Sequence, residues 1–242
     1  MLVHGLADDH RAWRRAIPDL MLHQRVILYD LRGHGKTTLG SADGTLGQLG
    51  ADMICLLDAV RVERAHVAGF SLGGTIAMRA AIDHPERVGG LVLVATSSRV
   101  GRAAADWYRE RAAMVGRRDP NLRATLDADT ADVYAQSPAE LEEGLLIRHQ
   151  STADPRGYGN ACAAMAALNA SPLDPELARI TAPTLIIASE LDRHCPPKAA
   201  EIIAAGIKGN RLEVLPGAGH PIPVERPREL AQSMLSFLSE VD

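Results

Sequence analysis

The chain has 242 residues, 46% hydrophobic and 23% charged, which is the balance of a globular protein with a sizeable core rather than a disordered or fibrous one. Its net charge of −4 offers no electrostatic attraction to nucleic acid or an anionic membrane. No apolar run approaches the roughly 18 residues of a membrane-spanning helix, Met1–Gly5 lacks a leader signature, and Cys55, Cys162 and Cys195 are too scattered for a disulfide framework, so a cytoplasmic protein with reduced thiols is expected.

Apolar, β-branched runs at 25–29, 65–68, 90–95, 184–188 and 211–215 predict strands. Most lack alternation, as strands covered on both faces do. Helical patterns lie between them, at about 11–22, 45–60, 74–83, 197–206 and 226–239. Alternating strands and helices predict an α/β fold, a doubly wound and mainly parallel sheet. The alternation stops at about 99–180, where the pattern is helical (103–115, 138–149, 158–168) and too long for one crossover. The predicted division is therefore a core of 1–98 and 181–242 with a helical cap, 99–180, inserted between two strands.

The densest chemical signal is Gly69-Phe70-Ser71-Leu72-Gly73, which follows a predicted strand and opens a predicted helix. Strand, G-x-S-x-G and helix together describe a sharp turn that exposes a serine hydroxyl above the sheet. Ser71 is the candidate nucleophile. A serine nucleophile needs a base, and the base an orienting acid. In an open parallel sheet these sit on loops at the carboxyl ends of strands. The last strand is followed by Pro216–His220, and the preceding one by Ser189–Asp192. His220 and Asp192 are thus the candidate base and acid, with His194 and Glu190 as rivals. The loop His4-Gly5-Leu6 follows the first apolar stretch. The backbone N–H groups of Leu6 and Leu72 are the candidate oxyanion donors, and His4 is expected to buttress that loop. Asp30–Gly35 could suggest a phosphate loop, but its glycine spacing fits neither dinucleotide nor nucleotide motifs, and a tight turn pinned by Asp30 and Arg32 is expected. No metal set and no cofactor motif emerges.

With these residues in order, the chain resembles the α/β-hydrolase superfamily over nearly its whole length: His4-Gly5, Asp30-x-Arg32-Gly33-x-Gly35, Gly69-x-Ser71-x-Gly73-Gly74, Asp192 with Pro196, and Gly219-His220 followed by Glu225-x-Pro227. The resemblance implies a serine hydrolase with its triad in the order Ser, Asp, His, and a cap inserted after the sixth family strand. Asp154-Pro155-Arg156-Gly157-Tyr158-x-x-Ala161-Cys162 leading into Leu173, and Ala95–Arg99 leading to Trp107, are similar to the 3-oxoadipate enol-lactonase branch. The expected reaction is hydrolysis of a small-molecule ester or lactone through an acyl-enzyme. Carbon–carbon bond hydrolysis, perhydrolysis and a non-catalytic binding role are the alternatives. Trp107, Met114, Met165 and Leu168 are expected on the inner face of the cap, although a plain core gives the same helical stripe. Cys195, close to Asp192, reads as a small buried thiol.

The family usually has two further strands before the His-Gly loop, and this chain begins with that strand nearly used up. Either translation starts upstream or the sheet lacks its first hairpin. Residues 25–29 would then be a bare edge, covered by a homodimer partner or shielded by the cap or other loops.

Overall fold

The computed structural model describes residues 1–241. Strands β1 (Leu2–Val3), β2 (Ala65–Phe70), β3 (Val88–Val94), β4 (Thr184–Ser189) and β5 (Asn210–Leu215) form one parallel sheet in that spatial order. Helices α1 (Ile17–Leu20), α2 (Leu46–Ala59) and α3 (Leu72–Asp83) accompany the first strands. Between β3 and β4 come α4 (Arg102–Gly116), α5 (Leu122–Val133), α6 (Leu141–Ser151) and α7 (Pro155–Ala167). Helix α8 (Pro197–Gly206) joins β4 to β5, and α9 (Ile222–Glu225) and α10 (Pro227–Val241) close the chain. No helix among the described residues is long and apolar enough to cross a membrane.

Successive strand residues face opposite sides of a sheet, and here both sides are apolar. Val67, Leu91, Leu93 and Ile186 point into a core shared with α2, α3 and α8. Their neighbours Ala68, Val92, Val94, Leu185 and Ile187 point into a second core with α1 and α10. Two covered faces explain why these strands read as continuous apolar runs. Register brings the strand ends together: Val3 pairs with Gly69, Phe70 with Val94, Val94 with Ile187, and Ser189 with Leu215. The loops after β1, β2, β4 and β5 therefore emerge along one edge.

Two expected elements differ. Residues 25–29 form no strand; they contribute one parallel bridge, Leu28 to Leu2, and Leu2 N–H donates to Ile27 O (2.9 Å). With only two residues in β1, there is too little partner strand for a ladder. The helix expected at 11–22 is a 3₁₀ turn (His10–Trp13) followed by the short α1. Pro18, which has no N–H to donate, begins a new helix rather than continuing one.

The segment between β3 and β4 contains no strand among the described residues. Helix α4 packs along α7, and α5 against α6. Helix α5 escapes sequence reading because its buried stripe is only Leu126 and Thr130. Helix α7 is tied into the sheet core, where Ala161, Ala164 and Met165 join the cluster of Val3 and Leu93.

Candidate active site

Ser71 stands between β2 and α3 with φ 52° and ψ −121°, a conformation that non-glycine residues rarely adopt. Its N–H donates to Val94 O (2.9 Å), and its carbonyl accepts from Thr96 Oγ1 (2.7 Å) and Gly74 N (2.9 Å), so the turn is held from three sides. The flanking glycines are steric necessities. A Cβ on Gly69 would lie 2.3 Å from Gly73 O, and one on Gly73 would lie 2.3 Å from Val3 O. The turn thus presses the start of α3 against the loop after β1.

His220 and Asp192 reach Ser71 from the loops after β5 and β4. His220 Nε2 is 3.1 Å from Ser71 Oγ, and His220 Nδ1 is 2.7 Å from Asp192 Oδ2. Both side chains are buried, and Asp192 Oδ1 accepts from the N–H groups of His194 and Cys195 at 2.8 Å each. Burial alone would raise the Asp192 carboxyl pKa; its electrostatic interaction and hydrogen bond with His220, with those two N–H donors, outweigh it and hold the carboxyl below the ordinary range. Since Asp192 Oδ2 only accepts, His220 Nδ1 carries the proton and leaves Nε2 free to accept from Ser71 Oγ–H. The rivals lie elsewhere. Glu190 Oε2 accepts from Gly217 N (2.9 Å) and is exposed. His194 lies tilted against His220, with ring centroids 5.1 Å apart, and points Nε2 at Asp132 (3.3 Å); burial, reinforced by His220, lowers its pKa.

The loop after β1 passes beside the serine: a Cβ on Gly5 would be 3.3 Å from Ser71 Cβ. His4 fixes it. Its Nδ1–H donates to Gly5 O and its Nε2 accepts from Leu31 N, both at 2.8 Å. That tautomer is neutral, in keeping with a pKa lowered by complete burial. Leu6 follows and lines the cavity over Ser71. Leu72 is the first residue of α3, where a helix leaves its N–H without an intrahelical acceptor. The turn at Asp30–Gly35 is pinned by Asp30, which accepts from Lys36 N (2.9 Å), and by Arg32, which grips Asp52. Asp9, His10 and Asp30 bring ligand-type atoms together, but Asp9 is already paired with Arg11, and Asp30 with His10 and Lys36.

A cavity of about 370 Å³ opens on Ser71 and His220, roofed by residues of α4 to α7. Of the four expected cap contacts, Trp107 lines it, held under Arg111 whose Cζ is 4.5 Å from the ring. The expectation is corrected for the other three. Met165 and Leu168 face the sheet core, and Met114 is buried on α4 outside the cavity lining. A helical stripe looks the same whether it meets a cavity or a packed neighbour.

The α/β-hydrolase fold family model matches residues 1–227. The chain belongs to that family. It is 32% identical over 246 residues to a Variovorax paradoxus protein with the provisional name carbamate hydrolase RutD, spanning 100% of this chain and 91% of that one. It is 30% identical to 3-oxoadipate enol-lactonase 1 of Acinetobacter baylyi, over 98% of this chain and 87% of the other. The crystal structure of the enol-lactonase from Burkholderia xenovorans superposes with a TM-score of 0.87 at 29% identity, over 98% of this chain and 90% of that one. Two of these three relatives are named as enol-lactonases and one, provisionally, as a carbamate hydrolase.

Sequence reading missed the polar side of the cavity. Asp8, Asp129, Asp132 and Arg148 all line it. Arg148 Nε donates to Asp8 (3.0 Å), Arg111 pairs with Asp129 (2.7 Å), and Arg193 faces Asp132 (3.6 Å). Arg148 carried one usable signal: it shares the buried face of α6 with Gly144, Ile147 and Ser151, where a charge needs a reason.

Proposed function

We propose that the chain is a serine hydrolase that cleaves a carboxylic ester or lactone of a small molecule through Ser71, His220 and Asp192. The observation that carries this reading is the unbroken hydrogen-bond chain from Asp192 Oδ2 through His220 to Ser71 Oγ. His220 Nε2 takes the hydroxyl proton as Ser71 Oγ attacks the carbonyl carbon, and Asp192 stabilises the imidazolium. The N–H groups of Leu6 and Leu72 hold the oxyanion, each donor contributing about 10²–10³ in rate. His220 then protonates the leaving oxygen as its bond to carbon breaks, which leaves an acyl-enzyme on Ser71. Water, deprotonated by His220, attacks the acyl carbon and regenerates Ser71. Enol-lactonases among the relatives support the ester and lactone class, and the carbamate-named relative extends the panel to carbamates.

A fluorophosphonate probe is expected to label Ser71 in the wild type, and His220→Ala to remove the labelling. Turnover of p-nitrophenyl acetate should vanish in Ser71→Ala. Equal labelling of wild type and His220→Ala, or full activity in Ser71→Ala, would sink the proposal. An enol-lactone, butyrate esters and an aryl carbamate, compared by kcat/KM, assign the subclass.

A further inference from the structure

A second cavity, of about 250 Å³, lies beside the one over Ser71. Its wall is apolar where Val100, Pro196, Ala199 and Ile202 meet, and the exposed Arg99 and Lys198 also line it. Ala104, Tyr108, His194 and Cys195 line both cavities, so these four residues form the partition between them. Three of the four leave little to move. Ala104 offers only a methyl group. Tyr108 is packed against both the sheet core and the smaller core under the cap, with Trp107 edge-on at 4.9 Å. Cys195 is small, and its thiol is hydrogen-bonded with Ser97. His194 is the fourth. Its side chain is 35% exposed and rests between the His220 ring, 5.1 Å away, and Asp132 Oδ2 of α5, 3.3 Å from its Nε2.

We propose that His194 is a specificity-determining residue, whose imidazole closes the second cavity and so limits the size of the alcohol or phenol portion of the ester that Ser71 cleaves. This rests on the serine-hydrolase reading above. The chemistry fixes which portion of the ester is concerned. His220 Nε2 must protonate the leaving oxygen, so the alcohol portion lies on the His220 side of the scissile bond. His194 is the ring packed against His220 in the cavity wall. An alcohol portion too large for the first cavity therefore meets the His194 ring before it can extend into the second. A side chain that obstructs a bulky group discriminates against it without any better contact to a small one. His194 gives its backbone N–H to Asp192 Oδ1, and the hydrogen bonds from Asp192 through His220 to Ser71 are made without its side chain. The ring can thus be removed with the triad left in place.

The test compares resorufin acetate, which has a three-ring leaving group, with p-nitrophenyl acetate by kcat/KM. In His194→Ala the ratio of the two is expected to rise about tenfold or more. A ratio is insensitive to any general loss through His220. Ile202→Phe, which fills the second cavity from α8, should return the His194→Ala ratio to the wild-type value. Asp132→Ala keeps the imidazole but frees it, and should raise the ratio about threefold. If His194→Ala does not fold, that variant decides. An unchanged ratio in folded His194→Ala overturns the assignment, as does a gain that survives Ile202→Phe. A larger gain with p-nitrophenyl octanoate, whose bulk is on the acyl side, overturns it too. Binding of resorufin itself to Ser71→Ala, followed by fluorescence, needs no turnover and should tighten about tenfold when His194→Ala is added. If it tightens while Ser71→Ala keeps full esterase activity, the serine-hydrolase reading falls and the partition at His194 stands.

Discussion

Replacing Asp192 by Asn tests the hydrogen-bond chain with almost no change of shape. Asp192 Oδ1 accepts from two backbone N–H groups, those of His194 and Cys195, and only an oxygen can satisfy both. The asparagine must therefore keep its carbonyl there and turn its NH₂ toward His220 Nδ1, where Oδ2 now sits 2.7 Å away. Two donors cannot face each other, so His220 shifts its proton to Nε2. That proton then points at Ser71 Oγ, 3.1 Å away, and the imidazole can no longer accept from the hydroxyl. A triad with its histidine in the wrong tautomer loses about 10⁴ in kcat, equivalent to roughly 5 kcal/mol of barrier. Initial rates on p-nitrophenyl acetate measure the loss, and circular dichroism melting checks that the loop remains in place. Retention of a tenth or more of the wild-type kcat in a folded Asp192→Asn would refute the tautomer argument.

Three further outcomes are expected. Burial, with a smaller contribution from His4, lowers the His34 pKa to about 4 from 6.5, so the unfolded chain binds this proton first and stability falls as pH drops through that window, by at most about 3 kcal/mol. Urea unfolding between pH 7 and 4 should show that slope, flattened in His34→Gln; an unchanged slope would contradict the assignment. Gly69→Ala, whose Cβ would lie 2.3 Å from the Gly73 carbonyl, should cost about 3 kcal/mol or more and about 10 °C in Tm, whereas Gly101→Ala, with nothing within 4 Å, should stay within about 1 kcal/mol by the same calorimetric scan. Glu225 accepts from Gly219 N (2.6 Å), beside His220, and from Ser137 Oγ (3.0 Å) in the roof. Glu225→Ala leaves the Gly219 N–H and the Ser137 hydroxyl without their shared partner, so kcat should fall about tenfold with KM little changed, and a kcat within twofold of wild type would show that the loop is held otherwise.

The proposed reacting groups were legible because each is tied to a backbone requirement that leaves a mark in sequence. The Ser71 turn needs glycines at 69 and 73, since a side chain at either would collide with main-chain oxygen. His220 and Asp192 were found because a parallel sheet, readable from its apolar runs, sends its functional loops to one edge. The cavity was much less legible. Met165 and Leu168 have the same helical spacing as true lining residues, and only the packing of α7 onto the sheet sends them to the core.

The linear chain by itself determined the alternation of strands and helices, the Gly69–Gly73 turn and the chain order of the loops that meet it, because local sterics and hydrophobic period act over a few residues. Tertiary structure alone decided what surrounds the serine. Arg148 meets Asp8 across 140 positions of sequence, and Tyr158 joins them from another helix. No local pattern encodes such a meeting, since it follows from how α4 to α7 pack over the sheet edge.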